Sequence, residues 1–543
     1  MDHVALDVSG NTENIHDKRR SKSLKRHWNQ LSKCQRSCIY TVVVVLSLTI
    51  FYLVSTESEK SQLANLEDST VDSKKEVLNN IKNDPRDVDT VFNEVEHDGQ
   101  VLEEPSGVEV ENNRNQVLLP PKVLRKFTGP TTPRQEAVVK AFKHAWKGYK
   151  QFAWGHDHLK PITEGYSDWF GLGLTIVDSI DTIYIMGLTK EYAEAREWIE
   201  KHLHFDVNRD VNLFEVTIRV LGGLLSIYHL TQDRMFLTKA VDLADRLLPC
   251  FDSESGVPYS DVNLFTRKAH APKWSPDSST SEVTTIQLEF RDLSRITGNS
   301  KYENAVSKVS LHIHNLEKKD GLVPIFINAN TGQFRSYSTV TLGARGDIPN
   351  GFLFIGELLV GGKDFKPKMD HLTCYLPGTL ALGVHNGLPD NHLKLAEELL
   401  ITCYQTYAQQ PTFLAPEITY FNIQGENSND IYVKTNDAHN LLRPEYLESL
   451  WYMYQFTSNK TYQDWGWQIF QGFENYTKVK NGYTSIGNVR NPLNVRPKDM
   501  MESFFLSETL KYLYLLFSDD PKLLDLDKYV VNSEAHPLPI YSS

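Results

Sequence analysis

The residues of this sequence whose types and spacing suit chemistry are carboxylates that recur in successive apolar segments. In each segment an Asp or Glu stands near the start of a run whose apolar residues repeat with helical spacing. These acids are Asp178 and Asp181, Glu215, Glu282, Asp347, Asp370, Glu445 and Glu448, and Glu502 and Glu508. One such acid commonly offsets the dipole of its own helix, but the shared position of all of them predicts that they converge on one cavity.

Several carboxylates around one polar cavity suit two kinds of chemistry. They can hydrolyse a glycosidic bond as an acid–base pair, or they can bind a hard cation such as Ca²⁺. The sequence contains no G-x-S-x-G, no P-loop, no dinucleotide-binding glycine motif and no H-E-x-x-H. Its net charge of −12 argues against a nucleic-acid partner. The residues alone therefore predict a carboxylate-based hydrolase, or a binder of a polar ligand such as a carbohydrate.

The segments that carry these acids are organised as a repeat of helical hairpins. Similar phrases mark the turns between helices: GLTKEY at 187–192, HLTQDRMF at 229–236, RITGNSKY at 295–302 and QFTSNKTY at 455–462. Repeated hairpins must bury their apolar faces on their neighbours. We therefore predict an all-α fold over residues 129–543, in which seven hairpins close into a ring. No ladder of alternating strands is expected.

The N-terminal part of the sequence predicts a membrane anchor. Residues 38–54 are 17 residues without a charge, which is close to the shortest run that spans a bilayer. Basic residues precede this run and acidic residues follow it, so residues 1–37 are expected to be a cytoplasmic tail and the remainder lumenal. A cleaved signal peptide is the alternative, disfavoured by the long polar lead-in. Residues 55–128 are polar and acidic and predict a flexible stem.

Longer phrases resemble glycoside hydrolase family 47, the class I α-1,2-mannosidases, and within it the endoplasmic reticulum group. They include AWGHDHLKPI at 153–162, SDWFGLGLTIVDSIDTIYIMGL at 167–188, FEVTIRVLGGLLSIYHL at 214–230 and DAHNLLRPEYLESLWYMY at 437–454. The resemblance implies an (α/α)7 barrel and Ca²⁺-dependent removal, with inversion, of terminal α-1,2-linked mannose from high-mannose N-glycans. It also implies a role in glycoprotein maturation, quality control and endoplasmic-reticulum-associated degradation. The expected location is the endoplasmic reticulum membrane, with the Golgi as the alternative compartment.

The resemblance also assigns roles to individual residues. Glu215 is expected to be the general acid and Glu445 the base that activates water, while Asp347 is a third essential carboxylate and a rival candidate for the acid. The metal position, a Thr in the family, is Ser533 here. Cys374 and Cys403 match the family disulfide, with Cys250 left free. The expected substrate-binding residues are Arg219, Glu282, Arg345, His371, Arg443, Glu448, Phe504, Glu508 and Glu534.

One interval of the sequence departs from the family pattern. Only 23 residues separate Asp347 from Asp370, whereas 67 residues separate Glu215 from Glu282. A helix, a turn and a returning helix cannot fit in the shorter interval, so about one hairpin is expected to be shortened or missing. The chain is then either a splice form or gene-model error of an active enzyme, or a variant that binds mannose glycans with impaired catalysis. A purely structural helical scaffold is the third hypothesis.

Overall fold

The computed structural model describes residues 126–541, apart from residues 274, 348–350, 360 and 424–428 and the side chains of residues 342–347. The predicted tail, anchor and nearly all of the predicted stem lie outside the described residues. Within them, one helix, Leu213–Thr231, is long and apolar enough to cross a membrane, but 83% of its most apolar window is buried inside the protein. That helix is therefore a core element of the folded part of the chain.

The described residues contain six pairs of helices, each with an inner and an outer member. The inner helices are α2 (Leu174–Ile185), α4 (Leu213–Thr231), α6 with α7 (Thr280–Thr285 and Gln287–Thr297), α9 (Leu376–His385), α11 (Glu445–Thr457) and α13 (Leu510–Leu516). Their outer partners are α3 (Thr189–His202), α5 (Arg234–Leu247), α8 (Lys301–Asn315), α10 (Asn391–Ala408), α12 (Thr461–Tyr476) and α1 (Pro133–Phe152). The hairpin repeat predicted from the sequence accounts for most of the structure.

Polar caps fix where the inner helices begin. The side chain of Asn212 accepts a hydrogen bond from the backbone N–H of Glu215 at 2.9 Å, and Ser279 caps the helix that carries Glu282. A side-chain cap satisfies one of the backbone N–H groups that have no partner in the first helical turn. Because each acid lies three residues after its cap, the caps place both acids at the same end of their helices.

The inner helices pack in the order α7, α4, α2, α13, α11 and α9. Between α8 and α9 in the chain lies an antiparallel sheet of β8 (Val340–Asp347), β9 (Leu353–Leu359) and β10 (Asp364–Lys366). Strand β9 lies against α10. The expectation that no ladder of strands would occur is wrong, because this interval is long enough for short paired strands but too short for two helices.

The other strands are short and lie in the connections between helices. They are β1 (His158–Lys160), β2 (Gly165–Ser167), β3 (Asp210–Asn212), β4 (Asp261–Asn263), β5 (Ala269–His270), β6 (Asp277–Ser279), β7 (Phe326–Asn328), β11 (Lys368–Asp370), β12 (Ile418–Phe421), β13 (Ile431–Tyr432), β14 (Lys478–Val479), β15 (Gly482–Tyr483), β16 (Tyr529–Val531) and β17 (Pro537–Pro539). All of their pairings are antiparallel. The hairpin β16–β17 carries residues of the cavity described below.

A fully buried ionic cluster attaches this C-terminal hairpin to the inner helices. Asp181 lies 2.9 Å from Lys511 Nζ and 2.8 Å from His536 Nδ1, and Lys511 also donates to the carbonyl of Ala535 at 2.8 Å. Burial alone would raise the pKa of Asp181, but Lys511 and His536 lower it to about 2. Burial would lower the pKa of His536, but Asp181 raises it to about 9. The stabilisation from Asp181 is therefore lost as the pH falls from about 4 to about 2, and that from His536 is lost as the pH rises from about 6.5 to about 9.

Replacement of Lys511 by Met should strongly destabilise the protein, because it leaves the buried carboxylate of Asp181 short of one cation. We expect the free energy of unfolding to fall by about 3–5 kcal/mol, measured by chemical denaturation. Lys478→Met is the control, since Lys478 pairs with Glu474 at a partly exposed position and should contribute less than about 1 kcal/mol. Equal losses for the two variants would contradict this account.

Candidate active site

One cavity of about 580 Å³ gathers most of the residues predicted to act on substrate. Ten of the predicted residues line it: Glu215, Arg219, Glu282, Arg443, Glu445, Glu448, Phe504, Glu508, Ser533 and Glu534. They come from α4, α6, α11 and the residues just before it, the turn before α13 and the β16–β17 hairpin. Residues distant in the sequence therefore meet in one space, as the recurring acids predicted.

Two π-helical turns bring charged residues into this cavity. Thr217–Leu221 forms a π turn within α4 and contains Arg219, and Phe505–Thr509 forms another before α13 and contains Glu508. A π turn inserts one residue into a helix and is frequently found at functional sites. The sequence pattern did not indicate either turn.

Arg219 is the cation at the centre of one wall of the cavity. Its Nε donates to Glu215 at 2.8 Å and its Nη1 donates to Glu534 at 2.9 Å. Burial alone would lower the pKa of Arg219, but the nearby carboxylates, Glu534 first, raise it above its ordinary value. Its guanidinium also lies 5.8 Å from the centre of the Phe504 ring. Arg219 therefore stays charged and fixes the positions of two acids and one aromatic ring.

On another wall, Glu445 is the first residue of α11 and is held from two sides. His371 Nδ1 lies 2.8 Å from one carboxylate oxygen of Glu445, and Arg443 Nη1 lies 3.4 Å from the other. Arg443 is itself fixed by a 2.6 Å contact with Glu417. Burial would raise the pKa of Glu445, but the hydrogen bond from His371 and the charge of Arg443 lower it. Glu445 is therefore ionised and suited to accept a proton.

The remaining acids of the cavity are protonated more readily than usual. Burial and the neighbouring Glu445 raise the pKa of Glu448 to about 8. Burial, which outweighs the charge of Arg219, raises the pKa of Glu534 to about 8. Burial and the proximity of Glu534 raise the pKa of Glu508, and burial raises that of Glu282. The cavity thus contains more buried carboxylates than its own cations neutralise.

Ser533 lies at the turn of the C-terminal hairpin, where it lines the cavity and is exposed. The neighbouring Asn532 fixes this turn: its side-chain oxygen accepts from the backbone N–H groups of Glu534 and His536, each at 2.9 Å. Among the described residues no group of three or more His, Cys, Asp or Glu side chains is arranged to bind a metal directly. The hydroxyl and carbonyl oxygens of Ser533 nevertheless lie beside several acids whose charge the cations of the cavity do not fully neutralise. This arrangement suits a hard cation that keeps part of its water shell.

Several predicted residues do not line the cavity. The prediction that Asp347 opens an inner helix is wrong, because Asp347 ends strand β8. The side chains of Asp347 and Arg345 are not among those that the structure describes. Asp178 and Asp181 belong to the buried ionic cluster instead. Asp370 ends β11 and pairs with Lys368 at 3.0 Å, and Glu502 lies 3.9 Å from His158.

Residues around Glu445 that the sequence did not single out also contribute. Tyr375 and Pro444 line the cavity, and Glu417 and Tyr407 contact the neighbours of Glu445. Their roles depend on contacts between distant segments, which sequence spacing does not reveal. The predicted disulfide between Cys374 and Cys403 is confirmed, and Cys250 is free and buried.

The chain matches the sequence model of one protein family. Residues 141–349 and 347–540 match the sequence model of glycosyl hydrolase family 47. The chain belongs to this family. As a member of glycosyl hydrolase family 47 it is placed among glycosidases, which confirms the resemblance seen in its motifs.

Named relatives in family 47 cover most of the chain. The endoplasmic reticulum mannosyl-oligosaccharide 1,2-alpha-mannosidase of Homo sapiens is 51% identical, covering 82% of this chain and 70% of its own length. The mannosyl-oligosaccharide 1,2-alpha-mannosidase MNS3 of Arabidopsis thaliana is 44% identical over 75% of this chain and 79% of its own length. A solved alpha-1,2-mannosidase from Trichoderma reesei has the same fold, with a TM-score of 0.70 at 24% identity, over 76% of this chain and all of that one.

Replacement of Arg219 by Met should destabilise the protein in a pH-dependent way. The variant removes the cation that Glu215 and Glu534 share, so the pKa of Glu534, already about 8, rises further. The folded state then loses stability as the pH rises, because the unfolded state releases this proton at a lower pH. We expect a loss of about 3–5 kcal/mol at about pH 9 and a clearly smaller loss at about pH 5, by urea denaturation with a chelator present. Arg219→Lys, which keeps the charge, is the control; equal losses of the Met variant at both pH values would refute the prediction.

Proposed function

We propose that this protein hydrolyses terminal α-1,2-linked mannose from high-mannose N-glycans. The observation that carries the proposal is that Glu215 and Glu445, distant in the sequence, line one cavity together with Arg219 and Phe504. The names of the relatives in family 47 describe this activity. A cavity of about 580 Å³ has room for a sugar residue.

The reaction would use two carboxylates with different tasks. Glu445, kept ionised by His371 and Arg443, would take a proton from a water molecule as that water attacks the anomeric carbon. Glu215 would give a proton to the glycosidic oxygen as the bond between carbon and oxygen breaks. Attack by water on the face opposite the leaving group inverts the anomeric configuration. Phe504 would contact the apolar face of the sugar ring, because aromatic rings provide flat apolar surface.

Ca²⁺ is the cofactor that we propose for this cavity. Ser533 would bind it through its hydroxyl and carbonyl oxygens, and Glu448, Glu508 and Glu534 would hold its waters. In support, burial raises the pKa values of these three acids, and a nearby cation would favour their charged forms. The ion would neutralise charge and help to bind sugar hydroxyl groups.

We propose a lumenal location in the endoplasmic reticulum, with residues 38–54 as a single-pass type II anchor. Relatives carry the name of that compartment. The two N-glycosylation sequons, at Asn459 and Asn475, both lie at exposed positions in the described part of the chain. Exposed sequons are accessible to glycosylation in the secretory pathway.

A catalytically impaired binder of mannose glycans is the second candidate. The short interval between Asp347 and Asp370 favours it, as does the position of Asp347 at the end of a strand. The two matches to the family also meet at residues 347–349. We propose that about one helical pair of the family ring is missing here. Sequencing transcripts across codons 340 to 372 would separate a splice form or gene-model error from a true variant.

Release of mannose from a high-mannose N-glycan tests the proposed function directly. The wild-type protein should release free mannose, and Glu215→Gln and Glu445→Gln should each lower kcat by about 10²–10⁴-fold, because each loses its proton-transfer group. Glu197→Gln is the control, since Glu197 is an exposed acid on α3. Tight glycan binding without any mannose release by the wild type would support the impaired binder instead.

Replacement of Ser533 by Thr should tighten Ca²⁺ binding a few-fold. The added methyl group restricts χ1 of the side chain, so less conformational freedom is lost when its hydroxyl binds the ion. Calorimetric titration of the chelator-treated protein measures the change, with Ser533→Ala as the opposite control that removes the hydroxyl. An unchanged affinity in the Thr variant would count against Ser533 as the ligand.

A further inference from the structure

The side chain of His371 lies between Glu445 and a buried tyrosine. His371 Nδ1 is 2.8 Å from an oxygen of Glu445, and His371 Nε2 is 2.6 Å from the hydroxyl of Tyr407. Both His371 and Tyr407 are buried. The three side chains form one continuous chain of hydrogen bonds that ends at the carboxylate in the cavity.

The contact with Tyr407 bears on which nitrogen of His371 carries the proton. Burial and the nearby Glu445 raise the pKa of Tyr407 well above its ordinary value, so its hydroxyl keeps its proton. A neutral imidazole has one N–H, and the nitrogen that accepts a hydrogen bond is the one without it. When the Tyr407 hydroxyl donates to Nε2, the proton of His371 lies on Nδ1 and points at Glu445.

The position of Tyr407 is fixed by its surroundings. Its ring centroid lies 5.2 Å from that of Tyr446 and 5.6 Å from that of His371. Tyr407 belongs to α10, the helix that the Cys374–Cys403 disulfide joins to the turn containing His371. The backbone N–H of His371 also donates to the carbonyl of Glu417 at 2.9 Å. Tyr407 therefore cannot move away from His371 without disturbing packed elements.

We infer that Tyr407 is a positioning residue for the proposed hydrolysis: it fixes the ring plane and tautomer of His371, so that Nδ1–H binds and orients the carboxylate of Glu445. This inference rests on the proposed function. The oxygen of Glu445 that faces Arg443 at 3.4 Å has the longer contact and is the one left to accept the proton of water. Tyr407 acts only through His371 and does not line the cavity.

The groups around Glu445 determine how its pKa responds when the hydrogen bond between Tyr407 and His371 is lost. Charged or titratable groups that face Glu445 are His371 from the turn before α9, Arg443 beside α11, Glu448 within α11, Glu508 from the π turn and Tyr407 from α10. Of these, His371 and Arg443 favour the ionised form of Glu445, while the acids oppose it. When His371 is free to rotate or to change tautomer, the pKa of Glu445 rises, because burial then dominates.

Tyr407→Phe, in the full-length protein, tests the inference by the pH dependence of mannose release. The variant should lose about 10–100-fold in kcat, the loss that is usual when a partner that orients a metal-bound histidine is removed, with KM nearly unchanged. The acidic limb of its pH profile should move to higher pH, since Glu445 then loses its charge at a higher pH. Tyr446→Phe is the matched control, because the buried hydroxyl of Tyr446 has no hydrogen-bond partner within the described residues.

A second measurement does not require activity. ¹⁵N NMR of labelled histidine, assigned with His371→Gln, should show the Nδ1–H tautomer in the wild type and its loss in Tyr407→Phe but not in Tyr446→Phe. If the wild type releases no mannose while the tautomer changes as expected, the proposed function fails and the positioning role stands. An unchanged tautomer, or an acidic limb that does not move in an active Tyr407→Phe protein, overturns the inference.

Discussion

The structure depends on keeping many carboxylates together in a space largely removed from water. Six glutamates line the cavity, and the arginines in its lining are Arg219 and Arg443. Burial of an unpaired charge is costly, so these acids remain together only because each arginine contacts an acid at hydrogen-bond distance. The imbalance that remains appears as the raised pKa of Glu448 and Glu534. The same imbalance supports the proposed binding of a cation and of sugar hydroxyl groups.

The two arginines also divide the cavity into walls with different electrostatic character. Arg219 joins Glu215 to Glu534, whereas Arg443 and His371 hold Glu445. The helices that carry these walls are neighbours in the series α4, α2, α13 and α11. The β8–β10 sheet lies in the chain between α8 and α9 and belongs to neither wall. Because the sheet lies outside this series of helices, Glu215 and Glu445 line one cavity although the interval after Asp347 has no helical pair.

Much of the helical repeat could be predicted from local periodicity, whereas most of the cavity was predicted from the recurring acids together with the family resemblance. Glu215 and Glu445 were found from their place at the start of apolar helices. The same reasoning misplaced Asp178 and Asp181, since their partners Lys511 and His536 come from the other end of the chain. Asp347 was misassigned to the start of a helix because it was counted among the recurring acids, whereas the short interval that follows forms strands. Tyr407 was missed because hydrogen bonding to His371 is a tertiary contact.

The β16–β17 hairpin completes contacts that the inner helices cannot make by themselves. Ser533 and Glu534 line the cavity, and His536 completes the ionic cluster with Asp178 and Asp181. These residues follow all of the inner helices in the chain, so the acids of the cluster gain His536 only through a contact between distant segments. A chain that lacks the hairpin would leave Asp178 and Asp181 without His536 inside the folded helices, which would lower the free energy of unfolding.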